Sequence, residues 1–361
     1  MHATGTRIAE LAFFTACSPL SRPIADATHS IPAIEFLVCE VVLANGVVGQ
    51  SYLLSFHYSP QAIRGALRDL AGFARGRDAA ATQAFIRDWN RETEYFGQEG
   101  LQRWALGLAN VAMWDAHART LDAPVWRLLG GDARAIPVYG SGGWLSYSDD
   151  ELLDEVRGYV KRGFAAVKIK VGSSEPGRDL ARLRLVREAV GPHVRIMIDA
   201  NQGMRVPEAL ELALAAREIG IGWFEEPIDH RDFDGYASLR QRADVALAMG
   251  EREYDLLPLR ELVARKALDL WQPDLLRLGS VEAWRESAAY AAAHAIPVLP
   301  HYYRDYDVPL LCTVANAYGA ESFDWIDAIV DAPMRVEKGL AYPRESPGWG
   351  FRFRPSALTA L

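Results

Sequence analysis

The sequence predicts an α/β protein: a (β/α)8-type barrel with an N-terminal α+β capping domain and a short C-terminal cover segment. Three observations predict it. From about Ile136, short apolar strands alternate with helices eight times over roughly 190 residues, a pattern that suits a closed parallel barrel better than an open sheet. Polar residues recur at the carboxyl ends of those strands, the rim on which barrel enzymes build their sites. The first 130 or so residues lack the alternation altogether.

In that first part, IAELAFFTA and IEFLVCEVVLANGVVGQSYL read as antiparallel strands, with Asn45-Gly46 as a hairpin turn. QAIRGALRDLAGFA and LQRWALGLANVAMWDAHARTL follow with helical periodicity. LAFFTAC has the look of a secretory core, but it is too short and Glu10 precedes it, so a strand is expected. The barrel strands are IPVYGS, AAVKIKV, VRIMIDAN, GWFEEP, VALAMGE, LDLWQPD, IPVLPH and SFDWID. Ser148 and Glu151 form a capping box that opens the first barrel helix. No Gly-rich fingerprint follows the first strand, which argues against a dinucleotide-binding fold. The expected units are residues 1–130, 131–327 and 328–361, the last packing back on the cap.

The 361 residues carry 39 Lys and Arg against 47 Asp and Glu, a net charge of -8. That balance disfavours nucleic acid as a partner. No stretch is long and apolar enough to enter a membrane as a span. Cys17, Cys39 and Cys312 are odd in number and without metal spacing, which suits reduced core thiols and a cytoplasmic location.

The strand ends carry Ser141, Lys168 with Lys170, Asp199 with Asn201, Glu225, Glu251, Asp274, His301 and Asp324. From Lys170 onward the steps are 29, 26, 26, 23, 27 and 23 residues, each matching one strand, one helix and their loops. A near-constant step brings all these side chains to one rim. Asp199, Glu225 and Glu251 fall on successive strands, and three converging carboxylates repel one another unless a cation lies between them. Hard oxygen donors with no Cys or His favour Mg2+ over zinc. Lys168 and Lys170, two apart on a strand, share a face, and two close ammonium groups are expected to depress each other's pKa toward that of a usable base. Asp274 beside His301 makes a proton-transfer dyad standing across the barrel from Lys170.

These motifs resemble the enolase superfamily, and within it the mandelate racemase/muconate lactonizing enzyme family. GVVGQSYL, AMWDAHARTLDAPVWRLLGG, VKIKVG, IDAN, FEEP, MGE, QPD, His301 and PGWG appear in the family's order and spacing across nearly the whole chain. The resemblance implies a small-molecule carboxylate substrate whose alpha proton is removed through an enediolate. Mg2+ would be held by Asp199, Glu225 and Glu251, with Lys170 as base on one face and Lys168 tuning it. His301, oriented by Asp274, would act on the other face, with Ser141 and Asn201 contacting the carboxylate and the alpha hydroxyl. The family's glutamate electrophile on the eighth strand is expected here as Asp324, with Glu321 competing for the role. Specificity would come from a capping loop at about residues 18 to 32 containing Arg22, Asp26 and His29, with Leu54 and Phe56 adding an apolar wall. Dehydration of an acid sugar leads among the expected reactions, ahead of racemisation of a 2-hydroxy acid and, last, a non-catalytic metabolite-binding barrel. A homo-oligomer is expected.

Overall fold

The computed structural model describes residues 5–55, 60–175 and 177–361. Near the N-terminus, strands Ile8–Ser18, Ile34–Leu43 and Val48–Leu54 form an antiparallel sheet. Asn45-Gly46 turns the second strand into the third, Gly46 sitting at a φ of 84° that favours glycine. Helix Leu101–Thr120 lies against this sheet. It approaches so closely that a Cβ on Gly49 would meet Ala112 O at 2.2 Å. The chain end returns to the same sheet, where Thr359–Ala360 pairs with the first strand.

The barrel strands are Ile136–Gly142, Ala166–Lys170, Arg195–Asp199, Ile221–Glu225, Leu247–Met249, Leu270–Trp271 and Ala320–Ser322, paired in parallel. The seventh position is a single extended residue, Val298, bridged to Trp271 on one side and Ala317 on the other. Helices such as Asp149–Lys161, Arg178–Val190 and Val281–Ala293 connect the strands. The capping box on Ser148 and Glu151 is present. Parallel register sets the rim: Lys170 pairs with Asp199, and Asp199 with Glu225, so their side chains leave the barrel at one height.

The eighth strand ends earlier than SFDWID suggests. It spans Ala320–Ser322, so Glu321, not Asp324, lies on it.

Cap and barrel are joined behind His301. Helix Arg304–Leu311 starts there, and the Tyr303 and Tyr306 hydroxyls accept hydrogen bonds from the main-chain N–H of Leu54 (3.1 Å) and Tyr52 (2.8 Å). Cys39 and Cys312 are buried free thiols, whereas Cys17 is exposed and so is not the core thiol expected. Among the described residues no helix is long and apolar enough to cross a membrane.

Candidate active site

A cavity opens at the carboxyl ends of the strands, roofed by the N-terminal sheet and helices. Lys168, Lys170, Asp199, Asn201, Glu251, Asp274, His301 and Glu321 all line it. Glu225 sits just beneath, its Oε2 accepting from Gln272 Nε2 at 2.6 Å. Asp199, Glu225 and Glu251 are at most 5% exposed. Burial, with repulsion from Asp199, Glu321 and Glu251, outweighs the pull of Lys168 and pushes the Glu225 carboxyl up to about 7.

The charges here do not balance. Asp199, Glu225, Glu226, Glu251 and Glu321 are buried carboxyls, and among the described residues they face four close cationic groups, Lys168, Lys170, Arg252 and His301. The buried Asn201 Oδ1 also has no hydrogen-bond partner. Among the described residues no three acidic, imidazole or thiol groups already close into a metal cage. Asp199 and Glu225 are instead turned onto Lys170 and Lys168. An all-oxygen donor set with an excess of negative charge fits a hard divalent cation.

The lysine pair behaves differently from the expectation of mutual depression. Burial does lower Lys170, and Lys168 adds to that, but the ion pair with Asp199 prevails and raises it. Lys168, wedged between Glu225 and Glu321 (2.8 Å to Glu321 Oε1), is raised well above its ordinary value despite its burial. Like-charge repulsion is the smaller effect at Lys170, where the adjacent Asp199 carboxylate outweighs Lys168.

Asp274 holds His301 from a fixed point. Its Oδ1 accepts from the Leu276 and Arg277 N–H groups at 2.9 Å, capping a short helix, while Oδ2 meets His301 Nδ1 at 2.9 Å. His301 Nε2 faces the cavity 3.5 Å from Glu251 Oε2. Burial disfavours the imidazolium, but Glu251 and Asp274 together raise His301 to about 9.

Asp324 is not at the site. Its oxygens accept from Arg304 and Arg162, both at 2.9 Å, and its side chain is 47% exposed. Glu321 occupies the position instead: Oε1 takes the Ser141 hydroxyl (2.6 Å) and Lys168, and Oε2 takes the Tyr302 N–H at 2.9 Å. Lys168 and His301 outweigh its burial and hold its carboxyl near 2. Ser141 therefore reaches the rim through Glu321, while Asn201 reaches it directly.

On the capping loop, the short pair Ile24–Ala25 and Ser30–Ile31 forms a hairpin. His29 and Asp26 line the cavity. Arg22 does not: it pairs with Glu151 and donates to Ser146 O (2.8 Å), pinning the loop to the first barrel helix. Leu54 lines the cavity, and Phe56 falls outside the described residues. The sequence reading missed Gln272, which lies just past the sixth strand and donates to Glu225. It also missed an aromatic wall of Trp144, Tyr302, Phe323 and Trp325, in which Phe323 and Trp325 stack at 4.3 Å.

Residues 151–357 match the enolase C-terminal domain-like model, which fits the barrel and its rim. Residues 9–130 match the mandelate racemase/muconate lactonizing enzyme N-terminal domain. The chain belongs to the mandelate racemase/muconate lactonizing enzyme family of the enolase superfamily. It is 26% identical to L-talarate/galactarate dehydratase of Salmonella typhimurium, covering 98% of this chain and 91% of that one. The crystal structure of that enzyme with Mg and L-lyxarohydroxamate superposes with a TM-score of 0.92 at 25% identity, covering 98% of this chain and 92% of that chain. Arabinonate dehydratase of Saccharolobus solfataricus is 27% identical over 89% of each chain. A racemase from Streptomyces coelicolor A3(2) with bound magnesium is 26% identical with a TM-score of 0.92, covering 96% of this chain and 97% of that one.

Proposed function

We propose that this protein is a Mg2+-dependent enzyme that abstracts the alpha proton of a 2-hydroxycarboxylate, in the first place as a dehydratase of the acid-sugar kind. The observation that carries the reading is the cavity rim itself. A cluster of buried carboxylates deficient in positive charge lies between a buried lysine and a carboxylate-anchored histidine. The dehydratases and magnesium-bound neighbours among the relatives point the same way.

Asp199, Glu225 and Glu251 hold the cation. Bound there, Mg2+ would supply positive charge to offset the negative charge that collects on the substrate carboxylate as the alpha proton leaves. Lys170 takes that proton; a cation engaging Asp199 would relieve the ion pair that raises Lys170. Lys168 braces the carboxylates and keeps Glu321 in place. A substrate carboxylate beside Glu321 raises its pKa by repulsion, so the pair takes up one proton from solvent and shares it in a short hydrogen bond. Asn201 meets the alpha hydroxyl. His301, protonated against Asp274, gives its proton to the departing C3 hydroxyl. The balance is loss of water: the alpha C–H and the C3–O bond break, an enol forms, and it tautomerises to a 2-keto acid.

A racemase is the second reading, favoured by the presence of two groups able to exchange a proton with one cavity from different sides of the ring. A cytoplasmic location belongs to the same proposal, in line with the unpaired cysteines. The exposed pair Tyr95 and Phe96 supports a homo-oligomer.

Two results test the site. Chelation is expected to abolish turnover, with Mg2+ restoring it better than Zn2+, and Asp199→Asn to weaken Mg2+ binding by calorimetry without loss of the folded circular-dichroism spectrum. A variant that binds Mg2+ as wild type does removes Asp199 from the ligand set. On the capping loop, His29→Ala is expected to change the ratios of kcat/KM across a panel of 2-hydroxy acids, whereas Arg22→Ala leaves them unchanged. The Arg22–Glu151 pair is exposed to solvent screening, so its loss costs little stability. Altered ratios for Arg22→Ala would show that it swings into the cavity.

A further inference from the structure

We infer that the substrate is a 2,3-dihydroxycarboxylate whose far end is hydrocarbon, not a chain of further hydroxyls or a second carboxylate. The inference rests on the dehydration chemistry proposed above, departs from its polyhydroxy substrate, and concerns the part of the cavity that takes no part in proton transfer.

The cavity is divided by polarity. The polar tip of the capping hairpin lies over the second and third strands: a Cβ on Gly172 or Gly203 would meet Ala27 Cβ at 2.7 and 2.5 Å. Asp26 and His29, on either side of Ala27, therefore stand by Lys170 and Asn201, where the first carbons of a substrate must lie. Among the described residues the rest of the roof is mostly apolar, with Ile31, Leu53, Leu54, Ile63, Leu101 and Trp104 beside Ser55. This wall stands over the sixth and seventh strands: Leu54 N meets the Tyr303 hydroxyl, and the Arg277 guanidinium lies 5.4 Å above the Trp104 ring. The floor on the Lys170 side is aromatic, with Trp144 and Trp325 stacked at 6.1 Å and Lys170 Nζ 5.3 Å from the Trp144 ring.

Among the described residues most of the polar groups on this side are already engaged. Ser55 donates its hydroxyl to Glu35 O at 3.1 Å, and the Tyr303 hydroxyl already accepts from Leu54. Arg252 is tied to Glu226 at 3.1 Å. Arg277 is shared with an adjoining groove that carries Glu99, Glu253 and Asp255, so a second substrate carboxylate there would approach three acids. A tail rich in hydroxyls would give up its water against side chains that return few hydrogen bonds. A branched alkyl or aryl tail loses nothing polar and fills the wall.

The test is a panel of 2,3-dihydroxycarboxylates in each C2/C3 configuration, with the tail an alkyl chain, a phenyl ring, a polyol or a terminal carboxylate. Alpha-proton exchange in deuterated water and 2-keto acid formation are followed with Mg2+ present. The hydrocarbon tails are expected to exceed their polyol counterparts in kcat/KM by about tenfold or more. Leu101→Gln, at a position 41% exposed and so tolerant of a polar side chain, should narrow that ratio; Ile63→Thr should do the same, with thermal unfolding recorded for both. A preference for the polyol or the diacid overturns the inference and leaves the proposed chemistry standing. Absence of both exchange and elimination across the panel overturns the chemistry, and the inference with it.

Discussion

Glu321→Gln is expected to lower kcat by about a hundredfold or more with little change in KM, while Asp324→Asn keeps both within about twofold. The asymmetry follows from what each carboxylate touches. Glu321 is buried, and three donors fix its two oxygens: Ser141, Lys168 and the Tyr302 N–H. It needs no reorganisation to meet a carboxylate that gains charge, and preorganised contacts of that kind act mainly on the transition state. An amide in its place keeps the shape but loses the shared proton. Asp324 lies between Arg162 and Arg304, half in solvent, where its loss touches only the brace around the eighth strand. Steady-state kinetics on the two variants decides the matter: a collapse of kcat in Asp324→Asn with a normal Glu321→Gln would put the electrophile on the wrong residue.

The second large effect concerns the proton-transfer pair. Lys170→Ala and His301→Asn are each expected to cut overall turnover by about a thousandfold. They should fail in different ways. In a dehydratase, Lys170→Ala loses alpha-proton exchange with deuterated solvent, whereas His301→Asn retains exchange and loses elimination of the hydroxyl. In a racemase, each variant keeps exchange for one substrate configuration only, Lys170→Ala through His301 and His301→Asn through Lys170. Exchange and elimination measured on the same sample therefore separate the two reactions. Turnover near wild type in both variants would remove Lys170 and His301 from the chemistry.

The barrel could be read in the sequence because its repeat is simple. Alternation of apolar strands and helices at a near-constant step is a direct consequence of parallel strands with helical returns, so Lys170, Asp199, Glu225, Glu251, Asp274 and His301 could be placed on one rim. The same regularity misled at the last strand. The final unit, His301 to Glu321, is only 20 residues long, and extrapolating the step overshot Glu321 by three positions to Asp324. Arg22 and the lysine pair failed for another reason. A charge in a sequence names no partner, and here the nearest partners, Glu151 for Arg22 and Asp199 for Lys170, come from segments remote in the chain. The aromatic wall gave no periodic signal, since its members come from the first, seventh and eighth units.

The hydroxyls of Tyr303 and Tyr306 grip the last capping strand through its peptide N–H groups, at Leu54 and Tyr52. A main-chain grip does not depend on the side chain that residue 54 carries. The wall over the cavity can thus be rebuilt, residue by residue, while the segment bearing His301 stays anchored where it is. Taste and chemistry in this protein are inherited separately: a variant could acquire a new substrate without relearning how to move the proton.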